Sequence, residues 1–516
     1  MPPAATRTSN FLTNVLWSWS GVAINLFAGF FLSPFLIRRL GDDNFGIWTL
    51  VLAMVENYWL LDFGFRNATL KYTAHYRALD QPTEVNRVLS TAILYSSAVA
   101  LLTLGLTIVG RSHVSSLFHS TNPIFGTLIL IVGISWSIGI VFNVFNVALE
   151  GFQRFDITSR LWIISSAIRT LLMLAVVLSG YRLREMALVL LCSQLFIYVT
   201  SFLYFKKIFP ELKISPSLAN VKVLKEMAAF ASHNFAISLS LRVLVQSPVL
   251  LIGMKLPPRF AAYFSVPQKL LDYPADAVGR VGIVSGSKAA DLYARGERSQ
   301  IAKMCIWTNR YCAALYFYLV VFLAVYGRPF LSVYLTPQFA EQSTPLLYVL
   351  MIGAAVNSSQ YNSATILVHI GGQKWYARLL ACEAALFVLL VPFVLSRYGL
   401  IGAAIVMVTL SVLSRGVGVS LMLSRKIEAS YASFLYRIYK VPLAISAAAA
   451  ILLYILRVRF LPGQSLLQLG LAAAIGGLLY ATLAFFLVLS PEHRGVAVER
   501  FRSLTGRFSG GAIKAA

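Results

Sequence analysis

Charge is scarce in this chain, and acidic charge scarcer still. Charged residues make up 12% of its 516, with 20 Asp and Glu against 44 Lys and Arg. A soluble domain of this length needs a polar surface that such a composition cannot cover, whereas 58% hydrophobic residues suit a chain that mostly faces lipid. Cysteine is nearly absent too. Cys192, Cys305, Cys312 and Cys382 all fall in apolar runs without a Cys-x-x-Cys pair or a His-paired ligand spacing, so no metal site is expected and the four read as packing residues. No Walker A loop, Gly-x-Ser-x-Gly elbow or His-Glu-x-x-His helix occurs. ATP hydrolysis and the common hydrolase mechanisms therefore have no visible seat, no cofactor is expected, and energy would have to come from a proton or sodium gradient.

What the chain has in abundance is long apolar runs. They lie near 14–37, 45–65, 90–110, 123–149, 157–179 and 186–205, then near 227–252, 260–284, 304–326, 344–369, 376–395 and 400–423, with two more near 441–456 and 465–489. Runs of about 17–25 apolar residues span a bilayer as helices, and these are continuously apolar, not alternating as barrel strands would be. The expected class is an all-α integral membrane protein with about fourteen spans. The first run carries Trp17, Trp19 and Pro34, is too long for a signal peptide, and is expected to remain.

The net charge of +24 would suggest nucleic acid in a soluble protein. Here its placement is the stronger signal. With the N-terminus inside, most Lys and Arg fall on the cytoplasmic side, among them Lys206, Lys207, Lys213, Lys222 and Lys225 between spans 6 and 7, and Arg494, Arg500, Arg502 and Arg507 in the tail. The positive-inside rule then sets both termini in the cytoplasm, and attraction to anionic lipid replaces nucleic acid as the meaning of the charge.

The chain also repeats itself. Gly151-Phe-Gln-Arg-Phe155 and Gly371-Gly-Gln-Lys-Trp375 each follow a long apolar run, and an offset of about 217 lays Tyr76 over Tyr293, Asp80 over Glu297, Tyr181 over Tyr398 and Ala187 over Ala404. Six spans per copy bring the second copy back in the same orientation, so the repeats are parallel. The expected domains are an N-lobe at 1–217, a C-lobe at 218–425 enclosing a central cavity with it, and two appended helices with a basic tail at 426–516. External loops are all short, which argues against a polysaccharide polymerase or ligase needing a catalytic outer loop. The longer segments 66–89 and 285–303 read as amphipathic interface helices.

Arg39-Leu40-Gly41, Phe45-Gly46-Ile47-Trp48 and Leu60-Leu61-Asp62-Phe63-Gly64-Phe65 resemble the start of bacterial polysaccharide flippases of the multidrug/oligosaccharidyl-lipid/polysaccharide exporter superfamily. Span count, duplication and the Gly-x-Gln-basic-aromatic turn extend the resemblance over the whole chain. It implies translocation of a polyprenyl-pyrophosphate-linked oligosaccharide across the bacterial inner membrane by alternating access, with membrane lipids and a polysaccharide polymerase or export machinery as partners. A drug or cation antiporter of the same superfamily is the alternative. The motif residues also have their own reading: Gly41 and Gly46 permit tight turns, Trp48 and Trp59 suit headgroup depth, and Asp62 can pair with Arg66.

A charge inside a bilayer costs at least about 2.5–3.5 kcal/mol, so each intramembrane one is a candidate. The cations are Arg169 in span 5, Arg242 in span 7, Lys269 and Arg280 in span 8, and Arg415 in span 12. Arginine suits pyrophosphate because its planar fork donates two hydrogen bonds at once. Lys269, Asp272, Asp276 and Arg280 share one helical face beside Pro267 and Pro274, either as a self-compensated ladder or as a cavity wall. Glu56 and Glu383 are isolated carboxylates suited to proton coupling or ion pairing. Asn25, Asn143, Asn146 and the polar stretch Asn357–Asn362 serve either interhelical hydrogen bonds or sugar hydroxyls. The offset places Asn25, Leu52, Val55, Trp59 and Phe63 where Arg242 and the span 8 charges stand, so the charges are not duplicated with the architecture.

Overall fold

The computed structural model describes residues 29–118, 120, 122–495 and 499, and among them there are helices and turns but no strand. The all-α membrane fold expected from the apolar runs is what forms. After a helix at 29–40 (α1) come α2 (Asp42–Glu56), α3 (Phe65–Ala78), α4 (Pro82–Gly110), the single turn α5 (Val114–Leu117), α6 (Ile124–Gly151), α7 (Phe155–Leu178) and α8 (Leu183–Ile208). The chain continues through α9 (Val221–Lys255), α10 (Pro258–Ala294), α11 (Arg298–Tyr334), α12 (Pro337–Leu367), α13 (Gln373–Ser411), α14 (Val419–Lys426), α15 (Tyr431–Arg459) and α16 (Leu466–Leu487).

Local chemistry sets these boundaries. Asn220 accepts the Lys222 amide at 2.7 Å to start α9, and Thr336 accepts the Phe339 amide at 3.2 Å with Pro337 at the first helical position of α12. Ser465 does the same for α16 through Gln468 at 3.3 Å. Among the described residues nine helical stretches are long and apolar enough to cross a membrane. One of them, Pro337–Lys426, runs for 90 residues and holds three of the expected spans, because Gly371 at φ 82 and Gly399 at φ 64 interrupt the helical path without a loop. Three expected spans fall outside that set. The first begins in residues outside the description, with Trp17, Trp19 and Asn25; the second is the 15-residue α2; the eighth, α10, carries the charged ladder.

The chain forms two compact units. One extends to Val266 and includes Leu380–Val406; in it α6 packs along α4 and α8, α7 along α8, and α9 against α2, α3 and α4. Its core holds Phe65, Val88, Leu89, Phe145, Ala148, Phe205 and Met227. The other comprises Pro267–Leu379 and the chain from Met407; in it α11 packs along α12, and α15 and α16 cover α11. Val321, Tyr326, Ile445, Ala449, Leu453 and Ala472 fill that seam. The pairs α4 with α6 and α11 with α12 stand at matching places in the repeat.

Two local expectations change. Gly41, at φ 79, does make the turn into α2, but Gly46 is helical: a Cβ there would run into the backbone of Pro258, so it serves close approach, not turning. Of the interface helices, α3 forms, burying Phe65, Ala68, Thr69 and Thr73 and exposing Asn67, Lys71 and His75. Its counterpart at 285–303 does not separate, since α10 runs on to Ala294 and Gly296 makes the only break before α11. The reason is local: Phe63 and Gly64 are left-handed at φ 48 and 83, while the offset puts Arg280 and Val281 there, which stay helical.

The doubled pentapeptide turn is also not conformationally identical in its two copies. In the first the left-handed residue is Gln153, and in the second it is Gly371. Each turn nevertheless has a cation on a carbonyl at the end of the preceding helix: Arg77 donates to Gly151 O at 3.3 Å, and Lys426 donates to Ile370 O at 3.1 Å.

Candidate functional site

In the first unit the helical backbone breaks off after α2. Asn57–Asp62 tightens into a 3₁₀ segment because Asn57 returns its side-chain amide to Ala53 O at 2.7 Å, competing with the helical ladder. The break is braced. Tyr58 shares a hydrogen bond with Thr107 at 2.7 Å, and the Tyr95 hydroxyl donates to the carbonyls of Leu61 and Asp62 at 3.2 and 3.3 Å. Irregular backbone at membrane depth is tolerated where side chains satisfy it, and such interruptions are where transporter sites gather.

Glu56 stands at this junction. Its carboxylate accepts the Gln246 side-chain amide of α9 at 2.7 Å, and Gln246 lies one turn beyond Arg242 on the same helical face. Arg242 is half-buried and, among the described residues, has no hydrogen-bond or ion-pair partner. Among the described residues Glu56 and Arg242 form no ion pair; an amide holds the carboxylate instead. Sequence reasoning missed Gln246, although an amide four residues from an arginine in an apolar span was a signal for it. His233 and Asn234 precede this face, and their side chains lie outside the description.

The remaining candidates fall on other elements. Arg169 in α7 is half-buried, with a 3.5 Å contact to Ser166 Oγ, and Glu383 in the first part of α13 is only 3% exposed. These two lie with Glu56 and Arg242 in the first unit. In the second unit Lys269 and Asp272 are exposed on α10, while the side chains of Asp276 and Arg280 lie outside the description. Pro267 and Pro274 sit inside a continuous α10. Arg415, half-buried, falls in the π-helical stretch Val412–Gly418, a type of bulge frequent at functional sites.

Two polar groups turn out to be structural. Asp62 accepts the Arg66 backbone amide at 3.0 Å, but the Arg66 guanidinium goes to Glu150 at 2.8 Å. The polar stretch of α12 largely ties helices together. Asn309 donates to Ser363 at 2.6 Å, Ser363 to Gln360 at 2.8 Å, and Gln360 to the Tyr439 hydroxyl at 2.8 Å, which also meets Ser359 at 2.7 Å. Asn362 joins Ser285 and Thr308. In the first unit Ser201 donates to Asn146 at 2.7 Å in the same role.

A model of the polysaccharide biosynthesis protein family matches residues 11–278. The chain belongs to that family. The family match contains the three motif stretches, the Glu56–Gln246 contact, Arg169 and Arg242. The protein is 23% identical to a putative O-antigen transporter of Shigella flexneri over 77% of its own length and 94% of the relative's. It is 22% identical to the uncharacterized membrane protein EpsK of Bacillus subtilis (strain 168) over 97% and 99%. Its fold is similar to that of the lipid II flippase MurJ in an inward closed conformation, with TM-score 0.71 and 13% identity over 92% of this chain and 98% of that one. An inward-facing multidrug resistance MATE family transporter of the MOP superfamily follows at TM-score 0.58 and 14% identity, covering 79% and 94%. This member of the polysaccharide biosynthesis family is thus a multi-pass membrane protein with an all-α fold like those of MurJ and the MATE transporter.

Proposed function

We propose that this protein translocates a polyprenyl-pyrophosphate-linked oligosaccharide repeat unit from the cytoplasmic to the outer leaflet of a bacterial inner membrane, by alternating access, for polysaccharide biosynthesis. Membership of the polysaccharide biosynthesis family, over a chain with a transporter fold and no catalytic motif, carries the reading. The chemistry fits the cargo. A pyrophosphate is dianionic or more, and Arg242 offers a two-pronged donor inside the membrane with no resident partner among the described residues. Arg169, Lys269, Arg280 and Arg415 are the further cationic contacts, and the polyprenyl tail stays in lipid.

Coupling is assigned to a proton or sodium gradient, with Glu56 as the first candidate. Its carboxylate holds Gln246, which follows Arg242 by one helical turn on α9, and in this reading neutralising Glu56 alters the field at the anion site. Glu383 is the second candidate, and Asp272 and Asp276 belong to the α10 ladder. Both termini are placed in the cytoplasm, with the polymerase or export machinery receiving the flipped product outside.

The deciding experiment reconstitutes the purified protein with fluorescent polyprenyl-pyrophosphate oligosaccharide and follows protection from an external modifying enzyme. Gradient-stimulated transfer is the expected result. Inert proteoliposomes, prepared alongside an active control flippase, would remove the reading.

A further inference from the structure

The segment joining α8 to α9, residues 209–220, is not a slack linker. Its backbone donors are taken by the first turns of α4: the Lys213 amide by Asn86 Oδ1 at 3.0 Å, the Ser215 amide by Ser90 Oγ at 3.2 Å, and the Asn220 amide by Thr91 Oγ1 at 3.0 Å. Leu212 is buried, and Pro216–Leu218 makes a 3₁₀ turn capped by Ser215. The strap is therefore held rigidly against the protein.

Five lysines ride on it or flank it: Lys206 and Lys207 in the last turn of α8, Lys213 on the strap, and Lys222 and Lys225 at the start of α9. All five are exposed, and among the described residues none makes an ion pair. Lysine suits the C-terminus of α8 but opposes the macrodipole at the N-terminus of α9, where no acidic residue occupies the first turn. Helix stability alone does not explain that choice. One turn before Lys206 and Lys207, Leu203 and Tyr204 are exposed at 57% and 43%, and Val221 at 67% adjoins Lys222. Apolar surface meets acyl chain and the lysines follow at headgroup depth, the order of groups in a phospholipid.

We propose that this strap is a preformed binding platform for anionic phospholipid headgroups, independent of the cargo site. Multiple fixed cations bind a diester phosphate with less ordering cost than a flexible polybasic loop, because the hydrogen bonds to α4 have already immobilised the backbone. The platform would seat the bundle against acidic lipid at the junction of the two repeats.

The test uses the full-length protein in nanodiscs of phosphatidylcholine with graded phosphatidylglycerol, measuring co-purified phosphatidylglycerol and its dependence on salt. Wild type should enrich phosphatidylglycerol and lose it as salt rises. K206Q/K207Q/K213Q/K222Q/K225Q should lose on the order of fivefold in retention per lysine removed, whereas K303Q/K440Q, neutralising exposed lysines elsewhere, should not. N86A/S90A/T91A keeps every charge and should weaken retention severalfold, and unchanged retention in it overturns the preformed character of the platform. Should the five-lysine variant unfold, the K206E/K207E pair on the exposed end of α8 reports the same loss. Wild-type enrichment in the five-lysine variant, or equal loss in the K303Q/K440Q control, overturns the platform. Stronger retention of polyprenyl pyrophosphate than of phosphatidylglycerol at these lysines overturns the choice of phospholipid.

Discussion

Arg242→Ala should slow cargo translocation about 30- to 1000-fold while leaving the fold as stable as before, or more so. A buried ion pair that loses one member leaves the other charge stranded, at about 3–5 kcal/mol. Arg242 has no such member among the described residues, and removing a membrane cation relieves about 2.5–3.5 kcal/mol on insertion scales. Stability and activity should therefore move apart. A two-pronged charged contact to phosphate is worth about 2–4 kcal/mol, so initial rates at subsaturating cargo should fall about 30- to 1000-fold. Arg242→Lys keeps the charge without the planar fork and should fall in between. The readouts are flipping rate in proteoliposomes and melting temperature by fluorescence-detected size exclusion. A wild-type rate in Arg242→Ala would take Arg242 out of the site. A melting temperature lowered in step with activity would make it a structural residue instead.

Three further outcomes are expected. Glu56→Gln keeps a hydrogen-bonding partner for Gln246 but removes the charge, so the fold should survive while stimulation by an imposed gradient disappears; intact stimulation in the same vesicles would clear Glu56 of coupling. Gly46→Ala forces a Cβ against the Pro258 backbone and should cost about 1–3 kcal/mol, read as a lower melting temperature, and an unchanged temperature would show that α10 can shift away. In a double-mutant cycle on Arg66 and Glu150, with side chains 39% and 18% exposed, the coupling should be about 0.5–1 kcal/mol, and a value near zero would reduce the pair to a surface contact.

Much of the fold was legible from residue order. Runs such as 123–149 and 465–489 became α6 and α16 within a few residues, because the free energy of moving a segment into lipid is close to a sum over its side chains. Where this sum was weak or misleading, packing decided. Residues 45–65 read as one span yet divide at Asn57, since a side-chain amide on Ala53 O and two tyrosine braces outcompete helical continuation. The segment 285–303 read as a separate helix, yet residues 285–294 continue α10 and 298–303 open α11, because no glycine stands where Gly64 stands in the first copy.

The candidate site was legible in its residue types and not in its connections. Arg242 and Glu56 were visible as charges in apolar runs, but that Gln246, 190 positions from Glu56, holds the carboxylate depends on how α2 and α9 are rotated toward each other. Likewise the α12 polar stretch could have served sugar or structure, and only the meeting of Gln360 with Tyr439 and of Ser363 with Asn309 assigned most of it to structure.

By itself, then, the sequence determined that this is a helical, multi-pass membrane protein rich in basic charge, because hydropathy is a property of residues taken in order. Tertiary structure alone decided which polar groups, among the described residues, already satisfy one another. Hydrogen bonds and ion pairs require atoms within about 3–4 Å across helices distant in the chain, and no local pattern carries that distance.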